Sequence, residues 1–261
     1  MIANQARTIR LVFILHLKQV AIDLFVIFTV IIQPLIVAML AIFMLRDTEG
    51  FEAIYVIVGS GLTGLWSGTL FFSAFNITAE RWTGTLESIV ASPTPLMTVV
   101  IGKSLANTIM SVSSMIFGYT LVSIFFGFDL IVANTGAFVF SLILGLASLV
   151  SLGLVIAPFM SMNLGAHVWA NAMEFPVYTL AGFLFPIALL PAWVTPISYL
   201  LAPYWAARAL HETSSGAVDM NKILFTWSML IVFTILNLFL SRFLFKKLLI
   251  KARVDATLGL Q

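Results

Sequence analysis

Residues 79–95, AERWTGTLESIVASPTP, place Glu80, Arg81 and Glu87 within eight positions of a 261-residue chain in which only 9% of residues are charged. The run before them, from Ala53 to Thr78, carries no charge, and the run after them, from Leu96 to Phe128, carries only Lys103. Each flank is longer than the ~20 apolar residues that carry a helix through the ~30 Å hydrocarbon layer of a bilayer. Between them, Gly84 permits a sharp break and Pro93 and Pro95 stop any helix, so the spacing predicts a short helix from Thr83 to Ala91. Leu86, Ile89 and Val90 fall on one face of it, with Glu80 and Glu87 on another if the helix starts that early. A charged loop with its own small amphipathic helix, joining two membrane crossings, decides the fold class: all-α and polytopic.

The remaining composition agrees. With 61% hydrophobic residues and a mean hydropathy of +1.09, the chain has lipid rather than water as its solvent. No ten-residue alternation of apolar and polar residues suggests a barrel. The absence of cysteine excludes disulfides and thiolate metal sites, and His16, His167 and His211 are scattered, so no metal centre is expected. The N-terminal stretch lacks a small-residue cleavage site before its continuing apolar run and is taken as retained chain.

Outward from the loop, six spans are expected. Residues 1–18, with Arg7, Arg10 and Lys18 among apolar positions, form either a helix lying at the headgroup boundary or a basic flank on a longer first helix. Span one covers about 20–44, with Asp23 near its start and a kink at Gln33-Pro34. Arg46, Asp47, Glu49 and Glu52 make a polar turn. Span two, about 53–78, shows Ser60, Gly64 and Gly68 at four-residue spacing, a pattern that lets helix backbones approach closely in lipid. Span three, about 96–127, shows Ser104, Asn107, Ser111, Ser114 and Gly118 down one face, and Asp129 marks its far end. The stretch from Leu130 to Met173 has no acid, lysine or arginine and is too long for one helix, so SMNLGAH (161–167) marks a turn between spans four and five. Five prolines between Pro176 and Pro203 rule out a continuous helix there. Residues 189–210, rich in Trp193, Tyr199, Tyr204 and Trp205, read as a re-entrant or surface-dipping helical hairpin. HETSSGAVD (211–219) is a polar loop, and span six covers about 223–241. The whole of 1–261 is expected to be one membrane domain.

With six spans, both termini share a side with Arg7, Arg10, Lys18, Arg81, Lys103 and the C-terminal Arg242, Lys246, Lys247, Lys251 and Arg253. The positive-inside rule makes that side cytoplasmic and puts the 79–95 loop there.

Several residues tempt chemistry. Ile101 to Ser104, IGKS, lacks the glycine five positions before its Gly-Lys that a phosphate loop needs; Met97 stands there, at the start of a spanning helix. No catalytic residue is expected. Asn76-Ile77-Thr78 matches a glycosylation site, but on the cytoplasmic side the match is fortuitous. His167, Asn171, Glu174 and Tyr178, at spacings of four, three and four, share one helical face. An acid within a span costs about 2.5–3.5 kcal/mol on insertion scales, so Glu174 needs a partner or a wet pathway. It either lines a transport route or is held by structural hydrogen bonds.

ERWTGTLESIVASPTP followed by GKS resembles the first cytoplasmic loop of the ABC type-2 permeases, the membrane subunits of ATP-binding cassette exporters. The matching positions are Glu80, Arg81, Gly84, Thr85, Leu86, Glu87, Pro93, Gly102 and Lys103. FLFPIALLPAWVTPISYLLAPYWAARAL resembles the family's segment after span five, at Phe185-Pro186, Leu190-Pro191, Trp193, Pro203 and Arg208; members have Asn where this chain has Ala202. The resemblance covers essentially the whole chain. It implies a bacterial or archaeal cell-membrane permease that pairs as a homodimer or with a close homologue and works with two copies of a separate ATPase subunit. It also implies that this chain binds no cofactor, ATP and Mg residing on the ATPase, and that no nucleic acid is involved. Glu80, Arg81, Gly84, Thr85, Leu86 and Glu87 would be the ATPase-coupling residues in a loop spanning 79–95. His167, Asn171, Glu174 and Tyr178 would face the pathway, with Pro191, Trp193, Pro203 and Arg208 at an extracellular gate. The pathway's apolar and aromatic side chains favour export of a hydrophobic or amphipathic small molecule, as in drug efflux and multidrug resistance, over a lipid-linked glycan. An ion-coupled carrier using Asp23 or Glu174 is a further alternative, unsupported by any inverted repeat.

Overall fold

A computed structural model describes residues 2–28, 32–45, 53–127, 132, 134–162, 166–215 and 219–254. Among these residues the chain is helical, with no strand. In order, the helices are α1 (Ile2–Val20), α2 (Leu24–Ile27), α3 (Gln33–Leu45), α4 (Ala53–Trp82), α5 (Leu86–Ala91), α6 (Leu96–Phe126), α7 (Thr135–Ser161), α8 (Ala166–Leu180), α9 (Thr195–Tyr199), α10 (Ala202–Ser214) and α11 (Met220–Val254). Four of them, α4, α6, α7 and α11, are long and apolar enough to cross a membrane. The chain is a multi-pass membrane protein by that measure and by its composition.

The expected first and fifth spans take a different form. Residues 20–44 divide into the end of α1, a turn at Ala21–Asp23, and α2 and α3. The Asp23 carboxylate accepts the Phe25 amide at 2.8 Å, capping α2, so α1 is a separate helix and not a flank of the next one. Pro34 lies in the first turn of α3, where its missing N–H costs no bond. The fifth segment, α8, is 15 residues long, holds Pro176, and ends in a turn whose Gly182 has φ +67°. The polar turn at Arg46–Glu52 and the Asp129 boundary lie outside the described residues. The expected 211–219 loop is shorter: α10 continues through His211 and Glu212 to Ser214. The last helix outruns the predicted 223–241 and carries Arg242, Lys246, Lys247 and Lys251 on it.

Of the four long helices, α4 is the most enclosed. The two small-residue stripes predicted for spans two and three meet at Gly68, where a Cβ would lie 2.6 Å from the Ser111 hydroxyl; beside them, outside either stripe, a Cβ on Gly61 would lie 2.5 Å from Met115. On another side, Gly153 of α7 sits against Ser73 and Thr69 of α4. At the Ala53 end, Gly59 packs directly beneath the Phe183 carbonyl, which a Cβ would approach to 1.9 Å. Between lipid-exposed helices there is little hydrophobic drive, so close van der Waals contact of this kind holds the bundle together. Asn76, the fortuitous glycosylation match, is buried in α4.

Gly59→Ala is therefore expected to cost about 1–3 kcal/mol by overpacking. It should lower the thermal-unfolding midpoint of the detergent-purified protein. Gly136→Ala, whose added Cβ meets only Asn134 Oδ1 at 3.8 Å, should leave that midpoint unchanged.

Candidate functional site

The 79–95 loop begins with a helix end. Glu80 and Arg81 belong to the last turn of α4, and α5 starts at Leu86, three residues later than the sequence spacing predicts. The reason is a Schellman cap: the Thr85 amide donates to the Glu80 carbonyl at 2.9 Å and the Gly84 amide to the Arg81 carbonyl at 3.1 Å. This closure requires a left-handed residue, and Gly84 has φ +71°. The Thr85 hydroxyl donates to the Glu80 carboxylate, which also receives Lys103 Nζ from α6. Lys103 reaches the Asn76 carbonyl at 3.5 Å as well. The lysine of the false phosphate loop thus ties α6 to the end of α4.

Beyond the cap, α5 divides by face. Leu86 is buried and Ile89 and Val90 are half-buried, packed with Ile77, Leu96, Val100, Leu154, Ala157, Phe245 and Leu248 from α4, α6, α7 and α11. Glu87, Ser88 and Ala91 are exposed. At the other end, Ser92 is extended, as the residue before Pro93 must be, and its hydroxyl donates to the Ile89 carbonyl at 2.7 Å. Pro95 then leads directly into α6. Of the loop's three charges, then, Glu87 faces outward on α5, whereas Glu80 turns inward to Lys103. Arg81 is half-buried, with Nη2 donating to the Ser161 hydroxyl at 3.5 Å and Nε buried without a partner among the described residues.

Beside this loop, α1 lies along α6, with Val12 and Ile9 against Gly102. His16 Nε2 donates to Asn107 Oδ1 at 3.1 Å. Burial first, and then the nearby Lys103, hold the His16 imidazole below its ordinary value. Asn107 and Ser104 also border a cavity of about 10 Å³ between α4, α6 and α7, lined by Gly68, Thr69, Ser73 and Ser111.

The predicted face on α8 is brought together in part. Glu174 is buried, and its Oε1 accepts from Gln33 Nε2 (3.0 Å), Ser67 Oγ (2.8 Å) and Tyr178 OH (2.8 Å), joining α3, α4 and α8. The Ser67 and Tyr178 hydroxyls also lie against each other, but with the single proton of each directed to Oε1 neither donates to the other. Asn171 is exposed, and the His167 side chain lies outside the described residues. Sequence marks Gln33 only as part of a kink and Ser67 not at all; the signal for both is that a buried acid demands donors.

The segment after α8 is a helical hairpin of α9 and α10, reached through a 3₁₀ turn at Ile187–Leu189. Pro191 and Trp193 are exposed on its approach. All of α10 except Arg208 and Glu212 is buried, Pro203 included, and those two residues pair with each other at 2.7 Å. Arg208 also donates to the Tyr204 hydroxyl at 3.4 Å and lies 5.8 Å from the Trp205 ring centre. His211 stacks on Tyr55 of α4 with ring centres 3.6 Å apart and donates from Nε2 to the Phe183 carbonyl at 3.0 Å, while the Tyr55 hydroxyl donates to the Gly182 carbonyl at 3.3 Å.

A family model described as ABC-2 type transporter matches residues 9–214. No curated protein matches the chain.

The Glu80–Lys103 pair generates a prediction. Removing either partner leaves an uncompensated, largely buried charge. Glu80→Gln and Lys103→Met should each destabilise the protein by about 2 kcal/mol, read as a lower thermal midpoint, and the double variant should recover part of the loss. Additive losses in the double-variant cycle would refute the pairing.

Proposed function

The chain belongs to the ABC-2 type transporter family, and on that footing we propose that it is the permease of an ATP-driven exporter, with α5 as the element that receives the partner's work. Membership makes it a membrane permease component, not itself catalytic, of a kind that pairs with an ABC ATPase subunit. In this reading two copies of the chain, each served by one ATPase, enclose the pathway. α2 with α3, and α8 with its following turn, supply the fifth and sixth crossings beside α4, α6, α7 and α11. Both termini and α5 face the cytoplasm. The α9–α10 hairpin closes the outer side, with Pro191, Trp193, Pro203 and Arg208 at the gate.

The observation that carries the reading is the two-sidedness of α5. Its apolar face is buried against four helices at once, while Glu87 and Ser88 point away from the bundle. ATP binds the partner, so its binding energy reaches the membrane only through a contact whose strength differs between two states. A six-residue helix clamped by a Schellman cap and two prolines is stiff enough to pass on such a contact. The exposed rings of Phe25, Phe28 and Phe175 suit a hydrophobic or amphipathic small molecule, the substrate class of drug efflux.

A tagged copy taken from native membranes is expected to bring down a subunit that hydrolyses ATP. Glu87→Arg should reduce the amount recovered by about tenfold, a difference of about 1.4 kcal/mol, without changing the size-exclusion profile of the permease. Recovery of no ATPase, or equal recovery with the variant, contradicts the reading.

A further inference from the structure

The cage around Glu174 is lopsided. Three neutral donors from three helices converge on Oε1, whereas Oε2 has no hydrogen-bond partner among the described residues. No described lysine, arginine or histidine nitrogen lies within 4.0 Å of the carboxylate. Yet the residue is only 5% exposed. α3 and α8 contain no lysine or arginine, and α4 has only Arg81, in its last turn. Elsewhere even the half-buried acids Glu80 and Glu212 are matched, by Lys103 and Arg208. A purely structural acid would gain from donors shared over both oxygens or from a cation. Here the donors fix the carboxylate's orientation and leave one oxygen available.

Aromatic rings adjoin the cage through its own members. Phe71 lies one helical turn from Ser67 and packs edge-on against Phe25, with ring centres 6.4 Å apart. Phe175, next to Glu174, packs edge-on against Tyr178 at 5.6 Å. Phe25 and Phe175 are 57% and 63% exposed, so their rings are open to a ligand. A directed carboxylate oxygen beside aromatic rings is the chemistry that recognises a lipophilic organic cation, through charge on one side and ring faces on the others. An anionic or neutral sugar-like cargo would find an acid and no cation among the described residues here.

We propose that Glu174 is the recognition point for a positively charged organic group on the transported molecule, which makes the substrate class a lipophilic cation. The proposal rests on the permease reading above, because it takes the exposed side of α2 and α8 to face the pathway.

The test uses two probes of the same shape and opposite charge, tetraphenylphosphonium and tetraphenylborate, binding to the purified full chain in nanodiscs of uncharged lipid. Saturable binding of the cation is expected, at least tenfold weaker in Glu174→Gln and retained in Glu174→Asp, with the anion weak throughout. The glutamine keeps an oxygen for Gln33, Ser67 and Tyr178, so the fold should survive, as a monodisperse size-exclusion peak would show. Equal cation binding by wild type and Glu174→Gln, or no saturable cation binding by wild type, overturns the proposal. Should the variant not give that peak, the wild-type comparison decides alone: a cation bound no better than the anion overturns it. Neither measurement involves an ATPase. Lost cation selectivity with intact ATPase recovery removes only this inference, and the reverse result removes only the exporter reading.

Discussion

Close approach of backbones along α4 is the constraint on which the other contacts depend. In lipid, apolar side chains gain nothing by leaving their surroundings for one another, so helices associate where small residues let atoms come within dispersion range. Gly59 admits the Phe183 carbonyl, Gly68 admits Ser111, and Ser73 receives Gly153. These contacts bring α6, α7 and the turn after α8 to fixed positions around one helix. Only then can Tyr55 reach the Gly182 carbonyl and stack on His211, and only then can Ser67 reach Glu174.

The same helix links the two places where function is proposed. Ser67, in the Glu174 cage, and Glu80, in the Schellman cap, are thirteen residues apart on α4, about 20 Å along an uninterrupted axis. A displacement at α5 meets no hinge before it reaches the cage: α4 has no proline, its Gly59, Gly61 and Gly68 are packed against neighbours, and none of the positive-φ glycines lies within it. Such continuity is a physical route for coupling, though a route becomes allosteric only when both ends prefer different states. The exposed side of α5 and the open oxygen of Glu174 are where a partner and a cargo would supply those preferences.

Local features of this architecture were legible from the residues alone. Gly84, Pro93 and Pro95 punctuate the loop by backbone geometry, which depends on nearest neighbours, and the facing stripes on α4 and α6 follow from helical periodicity. The face shared by Glu174 and Tyr178 follows from a four-residue spacing. What could not be read were the pairings across the fold: Glu80 with Lys103, Glu174 with Gln33 and Ser67, His211 with Tyr55 and Phe183. Each joins residues far apart in the chain, and helical periodicity says which face a residue occupies but not what lies opposite. The α5 boundary departs from the sequence spacing for a related reason. Glu80 and Arg81 look like loop residues by charge, but with Lys103 and Ser161 waiting beside the end of α4, the helix runs on to Trp82 before Gly84 ends it.

The partly and fully buried charges, taken together, make the strongest case that the chain's polar residues are not incidental. An ion pair out of water seldom gains more from attraction than it loses in desolvation, so pairing marks a need for geometry more than for stability. Glu80–Lys103 sits where α4 hands over to α5, and Arg208–Glu212 is the one polar strip on an otherwise buried α10. Both therefore orient elements whose direction matters to a moving machine. Glu174 departs from that pattern. It is more deeply buried than Glu80 or Glu212, it is held at one oxygen by groups without charge, and it lies where helices α3, α4 and α8 meet, against the Tyr178 ring. A carboxylate held in place without a counter-charge among the described residues is incomplete as structure, and under the proposal above that charge is the cargo's.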